Sequence, residues 1–237
     1  LGFYTRGQTL AAFPSSNVNS IIQSVSYPVL AKIQDDDKHL IESYSKLISM
    51  TSMVIFFGMF LLAAIAKPLI VTVLTEKWLN AVIYLQVFCF AYMFDHLCSL
   101  NLNILYVKGF SNLVLRLEII KKTISISLII AAIPLGPHAI CIASAFYTQI
   151  AVVINTYYTG KLFGLGYVKQ VKDFSKYLLF SIISVVPAYA ITFVDINSIL
   201  QLVLGGVSSC VIYYFLVRSL FLVIVKLVLI KLVKITI

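Results

Sequence analysis

Seven apolar runs, each about twenty residues long and set apart by short polar breaks, dominate this 237-residue chain. A helix of that length spans a hydrocarbon core of roughly 30 Å, and a soluble fold has no place for seven in series. The runs fall at about 9–30, 49–74, 81–106, 113–134, 138–158, 175–194 and 199–217. The segments 75–80 (TEKWLN), 135–137 (LGP) and 195–198 (DINS) supply some of the breaks. Composition agrees: 61% of residues are apolar and 11% are charged, with a mean hydropathy of +1.01. So few charges cannot cover a soluble surface of this size. Long unbroken runs also exclude a β-barrel, whose strands alternate in pieces of about ten residues. The fold class is an all-α polytopic membrane protein with seven predicted transmembrane helices.

Charge placement orients the helices. The net charge of +9 could suggest a nucleic-acid binder, but the basic residues lie between apolar runs and form no dense patch. Fifteen of the eighteen lysines and arginines fall in alternate gaps or after the seventh run; Arg6, Lys67 and Lys77 are the others. That alternation is the positive-inside pattern, and it puts the N-terminal end outside and the C-terminus in the cytoplasm. The tail 219–237 is apolar enough to insert, yet Lys226, Lys231 and Lys234 gather on one side of a helical wheel. An interfacial helix with snorkelling lysines fits better than an eighth span. Lys67-Pro68 interrupts the second run. Proline disfavours helix at the residue before it, so the spanning helix is expected to end near Ala66, with a short interfacial piece over 68–75 before Trp78. A kinked helix running straight through is the alternative.

Polar groups at membrane depth are the candidate functional residues. In the first run Ser16, Asn19, Gln23 and Ser26 recur at helical spacing, opposite Val18, Ile21, Ile22, Val25 and Val29. Such a face looks into protein or water, so it either lines an aqueous cavity or glues neighbouring helices. Pro14 can open a bend beside it. The third run holds the one acid deep in a span, Asp95, next to His96, with Ser99 and Asn103 continuing its face. An intramembrane carboxylate marks either a substrate or ion pathway or a buried hydrogen-bond node. Arg6, at the mouth of the first run, suits a phosphate-bearing substrate by bidentate bonding, or serves as an interface anchor. Asp35, Asp36 and Asp37 open a solvated loop or a helix, and Glu118 with Lys121 and Lys122 reads as surface pairing.

No catalytic or metal constellation is visible: Walker A, GxSxG, HExxH and CxxC arrangements are absent, and Gly164-Leu165-Gly166 lacks the setting of a nucleotide loop. Cys89, Cys98, Cys141 and Cys210 are too scattered for a disulfide framework or metal spacing. The chain reads as a non-enzyme that needs no cofactor.

Leu1-Gly2-Phe3-Tyr4-Thr5-Arg6, then Pro14, Tyr27-Pro28-Val29-Leu30 and Gln34-Asp35-Asp36 resemble the opening block of the Wzx/WzxC-type polysaccharide flippases. These belong to the multidrug/oligosaccharidyl-lipid/polysaccharide exporter superfamily. Pro68-Leu69-Ile70 with Glu76-Lys77-Trp78 resembles a second element of that family, with Thr75 where glycine is common. Asn101, Lys108-Gly109 and Leu117-Glu118-Ile119-Ile120-Lys121-Lys122 resemble a third, with Phe110 where a basic residue is usual. The motifs cover about 1–122; the rest is similar only in its helix pattern.

The resemblance implies the C-terminal half of a fourteen-helix, two-bundle MATE-like transporter. Residues 1–194 would form its C-terminal six-helix bundle, partial at the N-terminal edge, and 195–237 its last helix and basic tail. It further implies a bacterial cytoplasmic-membrane protein that passes lipid-diphosphate-linked oligosaccharide through a cationic cavity by alternating access, driven by a coupling ion (H+ or Na+). The partners would be that substrate, the lipid bilayer and other polysaccharide-assembly membrane proteins, with no nucleic acid. The candidate cavity residues are Arg6, Ser16, Asn19, Gln23, Asp95, His96, Ser99 and Asn103. Two alternatives stand beside this: a drug/cation antiporter or other lipid-precursor flippase of the same superfamily, and a non-transport membrane component of polysaccharide assembly.

Overall fold

A computed structural model describes the backbone of residues 1–235 and the side chains of residues 1–218. Among these the chain is all-α, and its breaks fall where local chemistry stops a helix. Helix α1 (Gly2–Lys32) carries Pro14 and Pro28 inside it and ends ahead of Gln34-Asp35-Asp36. Helix α2 (Asp37–Ala64) starts on Asp36, whose carboxylate accepts the backbone N–H of His39 at 3.0 Å. The acidic triplet is therefore a helix start and cap. Lys108 secures the same corner by an ion pair with Asp37 at 2.6 Å and a hydrogen bond to the Gln34 carbonyl at 2.7 Å.

The second apolar run divides at Ile65. The short helix α3 (Ala66–Leu74) begins there, with Pro68 in its first turn, where its missing N–H costs nothing. It ends at Thr75, which holds φ +80° and ψ 166° and is the one non-glycine residue at positive φ among those described. A 3-10 segment (Glu76–Ala81) then leads into the third run.

That third run is broken in mid-membrane. Helix α4 (Val82–Tyr92) stops, Met93 and Phe94 turn, and α5 (Asp95–Val107) restarts. No glycine or proline marks the break, so the hydropathy pattern gives no sign of it. Helix α6 (Ser111–Ala132) follows a turn through Gly109 at φ +78°, and α7 (Pro137–Phe163) follows Gly136 at φ +87°. Gly164, left-handed at φ +67°, caps α7 by giving its N–H to the Gly160 carbonyl. Helix α8 (Tyr167–Ile191) carries Pro187, and α9 (Ser198–Ile235) starts where the Asn197 side chain accepts the Ile199 N–H. Residues of α9 from 219 on, where the snorkelling lysines of the tail were expected, lie outside the described side chains.

Among the described residues, five helical segments are long and apolar enough to cross a membrane: Asp37–Ala64, Glu76–Val107 with its internal break, Pro137–Phe163, Tyr167–Ile191 and Ser198–Arg218. The chain is thus a multi-pass, all-α membrane protein. Helices α1 and α6 occupy the other two expected runs but are less apolar. Serine, asparagine and glutamine dilute α1, and Arg116, Glu118, Lys121 and Lys122 crowd the first half of α6.

Packing explains how α1 tolerates that polarity. Its buried positions are Gly7, Ala11, Ser15, Ile22, Ser26 and Leu30, a stripe at intervals of four and seven. Small residues let it lie close against α4 and α5. A Cβ on Gly7 would sit 2.7 Å from the Tyr84 Cβ and 2.8 Å from the Leu85 backbone nitrogen. One apolar core joins α1, α2, α5 and α8 around Tyr44, Phe56, Leu97 and Phe174; a second joins α1, α3, α4 and α7 around Ala11, Ile70 and Phe88. Outward-facing Phe146, Ile130 and Val186 are largely exposed, as side chains meeting lipid should be.

Candidate functional site

The interrupted third run builds the site. Breaking the helix at 93–94 removes carbonyls from the hydrogen-bond ladder and aims the new N-terminus of α5 at α1. The Tyr92 carbonyl accepts the Ser15 hydroxyl across that interface at 3.4 Å. Asp95 stands in the first turn of α5, where the helix dipole favours an anion. A cavity of about 170 Å³ opens here, lined by Ala12, Ser15, Ser16, Asn19, Tyr92 and Asp95. The Asn19 amide donates to the Ser15 hydroxyl at 3.4 Å, and the Ser99 hydroxyl donates to the Asn19 carbonyl oxygen at 3.5 Å. Gln8 donates to the Tyr92 hydroxyl at 3.1 Å on the side toward the N-terminus of α1. Acid, amide and hydroxyls from α1, α4 and α5 thus face one small space.

Of the residues expected from sequence, Ser16, Asn19 and Asp95 line this cavity and Ser99 bonds to its wall. Asn103 lies two turns further along α5, buried, donating to the Ser26 hydroxyl at 2.9 Å. His96 faces the other way and is fully buried. Its Nδ1 lies 2.8 Å from the Met93 carbonyl and its Nε2 2.9 Å from the Ser52 hydroxyl. A carbonyl only accepts, so Nδ1 carries the proton and Nε2 accepts from Ser52, the neutral tautomer. His96 therefore pins the break to α2. Arg6 is exposed with its guanidinium 5.7 Å from the centre of the Trp78 ring, and Gln23 is exposed on α1; neither reaches the cavity.

Three features escaped the sequence reading. Ser15 and Tyr92 line the cavity although neither was among the expected residues. The Glu118–Lys121 pair is at the surface only on its Glu118 side. Lys121 is only 4% exposed and bonds Glu118, because its part of α6 is packed against α7. Finally, Asn101 and Gln170 pair their amides reciprocally, at 2.9 and 2.8 Å. Thr159 donates to the Asn101 oxygen at 2.6 Å, and Gln170 also donates to the Leu165 carbonyl at 2.8 Å. All three side chains are fully buried, and they clamp α5, α7 and α8 together at the end assigned to the cytoplasm. Asn101 belonged to a recognisable motif; Gln170, in a charged-looking gap, carried no signal. No group of three or more His, Cys, Asp or Glu side chains suited to a metal occurs among the described residues.

A family model described as "Polysaccharide biosynthesis protein" matches residues 1–83. An "Uncharacterized membrane protein in cps region" of Klebsiella pneumoniae is 32% identical over 126 residues, 53% of this chain and 26% of that protein. "Lipopolysaccharide biosynthesis protein WzxC" of Escherichia coli is 32% identical over 88 residues, 37% of this chain and 18% of that protein. "Teichuronic acid biosynthesis protein TuaB" of Bacillus subtilis is 27% identical over 113 residues, 48% of this chain and 23% of that protein. Over part of its length this chain is homologous to the Wzx-like polysaccharide-biosynthesis membrane proteins. The matched stretches span about a quarter or less of those relatives' own lengths, far short of two thirds. No solved structure matches the chain. The stretch shared with the family model contains α1, and so one whole wall of the Asp95 cavity.

Proposed function

We propose that this chain is the C-terminal half of a fourteen-helix transporter that moves lipid-diphosphate-linked oligosaccharide across the bacterial cytoplasmic membrane. The cargo is the repeat unit of a surface polysaccharide, moved by alternating access and coupled to H+ or Na+ at Asp95. The observation that carries the reading is the Asp95 cavity at a broken helix, in a chain partly homologous to polysaccharide-biosynthesis membrane proteins. Discontinuous helices with exposed termini near the bilayer midplane are how secondary transporters hold coupling ions.

Size decides what the cavity holds. At about 170 Å³ it falls below the roughly 300–1,000 Å³ of pockets for drug-sized ligands. It suits a proton, or a small cation with water, and not a sugar chain. Asp95 makes no ion pair with a lysine or arginine among the described residues, which leaves its carboxylate available to such an ion. The sugar-diphosphate head would run past the exposed polar side of α1, where Ser16, Gln23 and Arg6 stand free of the bundle core.

The test deletes and restores the gene and measures lipid-linked repeat units by mass spectrometry, together with surface polysaccharide. Accumulated units with lost polymer support the flippase; normal polymer without accumulation refutes it. Asp95→Asn, restored at normal membrane level, is expected to leave units accumulated, and unchanged export would refute the coupling role. Tyr92 beside Asp95 also suits an organic cation, so a drug or cation antiporter of the same superfamily is the second reading. A drug-efflux phenotype without a polysaccharide defect would decide for it.

A further inference from the structure

Two cavities meet at one side chain near the end of the bundle that charge placement assigns to the outside. The first, of about 560 Å³, is walled by Phe3 of α1, Asn80, Tyr84 and Gln86 of the third run, and His138 at the start of α7. The second, of about 320 Å³, is a groove between α2 and α8 walled by Phe60, Ala63, Ile182, Val186 and Tyr189, again with Gln86. Gln86 is held between them. One amide N–H donates to the Ala63 carbonyl at 3.1 Å, leaving its second N–H and its oxygen for a ligand.

The two cavities differ in chemistry. The first presents the exposed amide of Asn80, the Gln86 amide, and His138 stacked on Tyr84 at 4.7 Å and bonded to its hydroxyl at 3.2 Å. The second, Gln86 and the Tyr189 hydroxyl apart, is hydrocarbon and aromatic. Among the described residues, no lysine, arginine or carboxylate lines either of them. The polar pocket lies at the segment 76–81 and the first residues of α1 and α7, and the apolar groove adjoins it at Gln86, along the last turns of α2 and α8.

We infer that these joined cavities bind one molecule of a bilayer lipid with an uncharged glycosyl head, its sugar against Asn80, Gln86 and His138 and its chain in the α2–α8 groove. Amides, an imidazole and flanking aromatic rings match a hydroxyl-rich head with apolar ring faces. A phosphate head would meet no cation among the described residues that line the two cavities. The site is separate from the Asp95 cavity, and the inference does not rest on the transport reading, since binding is measured without transport.

The full chain is reconstituted in nanodiscs of phosphatidylcholine containing equal small fractions of glucosyl diacylglycerol and phosphatidylglycerol of the same acyl chains. Retained lipids are counted by native mass spectrometry. Glucosyl lipid is expected to be retained about tenfold over the other two, a preference of ~1.4 kcal/mol. Asn80→Ala and Gln86→Leu should each remove most of that preference, and Val186→Trp should block retention by filling the groove. Asn80 is exposed and Val186 is 59% exposed, so neither change threatens folding. Equal retention of the three lipids, preference for phosphatidylglycerol, or a preference untouched by these substitutions would each overturn the inference.

Discussion

Thr75 offers the sharpest quantitative test of the structure. Its φ of +80° with ψ of 166° lies in a region that only glycine enters freely, and threonine is β-branched besides. Holding a residue there costs about 1–3 kcal/mol. The side chain returns nothing, being exposed with no hydrogen bond from its hydroxyl among the described residues. The two bonds that shape the turn are backbone bonds, Thr75 N–H to the Val71 carbonyl and Trp78 N–H to the Thr75 carbonyl, both 3.2 Å, and glycine keeps them. Against the relief stands the greater freedom of glycine in the unfolded chain, about 0.4–1 kcal/mol. Thr75→Gly should therefore stabilise the protein by about 1 kcal/mol, or ~2–4 °C in Tm for a chain of this size. Thr75→Ala keeps the unfavourable φ and should leave Tm nearly unchanged. Melting in detergent, followed by fluorescence-detected size exclusion, separates the two variants. A Thr75→Gly protein no more stable than the parent, or an alanine variant that gains as much, would refute the strained turn.

Three further outcomes follow from packing and topology. Gln170→Leu leaves one buried Asn101 amide N–H without its acceptor and should cost about 1–3 kcal/mol, read as a lower melting temperature, whereas Lys169→Ala beside it should do little. Gly7→Ala drives a Cβ into the α4 backbone at Leu85, and should lower Tm by several degrees while Gly58→Ala, with nothing within 4 Å of its added Cβ, does not; equal effects would contradict the close α1–α4 crossing. A cysteine introduced at Asn197 should react with an impermeant maleimide from outside the cell and one at Lys169 should not; the reverse would invert the topology.

Sequence alone determined the class of this protein, and its alternating charge predicts a direction in the membrane. Apolar length and alternating positive charge are properties of consecutive residues, and a bilayer reads them one segment at a time. It also located chain breaks that rest on local chemistry, at Lys67-Pro68, at the Asp35–Asp37 cap and at the turn through Gly136. It named Asp95, Asn19 and Ser16, because polar groups at membrane depth are rare enough to stand out. Only the tertiary structure divided those candidates. Asp95 and His96 are neighbours in the chain, yet helical geometry turns them to opposite sides, one toward the α1 cavity and the other into a hydrogen bond with Ser52 of α2. The break at Met93-Phe94 has no glycine or proline to announce it, and it persists because the side chains of Ser15 and His96 satisfy the carbonyls it frees. Lys121 looked like half of a surface pair because an i,i+3 spacing says nothing about what packs over it; α7 does the covering. Gln170 became the centre of a buried clamp for the same reason. Its partners stand 69 and 11 residues away in sequence, and no local pattern encodes a contact made across three helices.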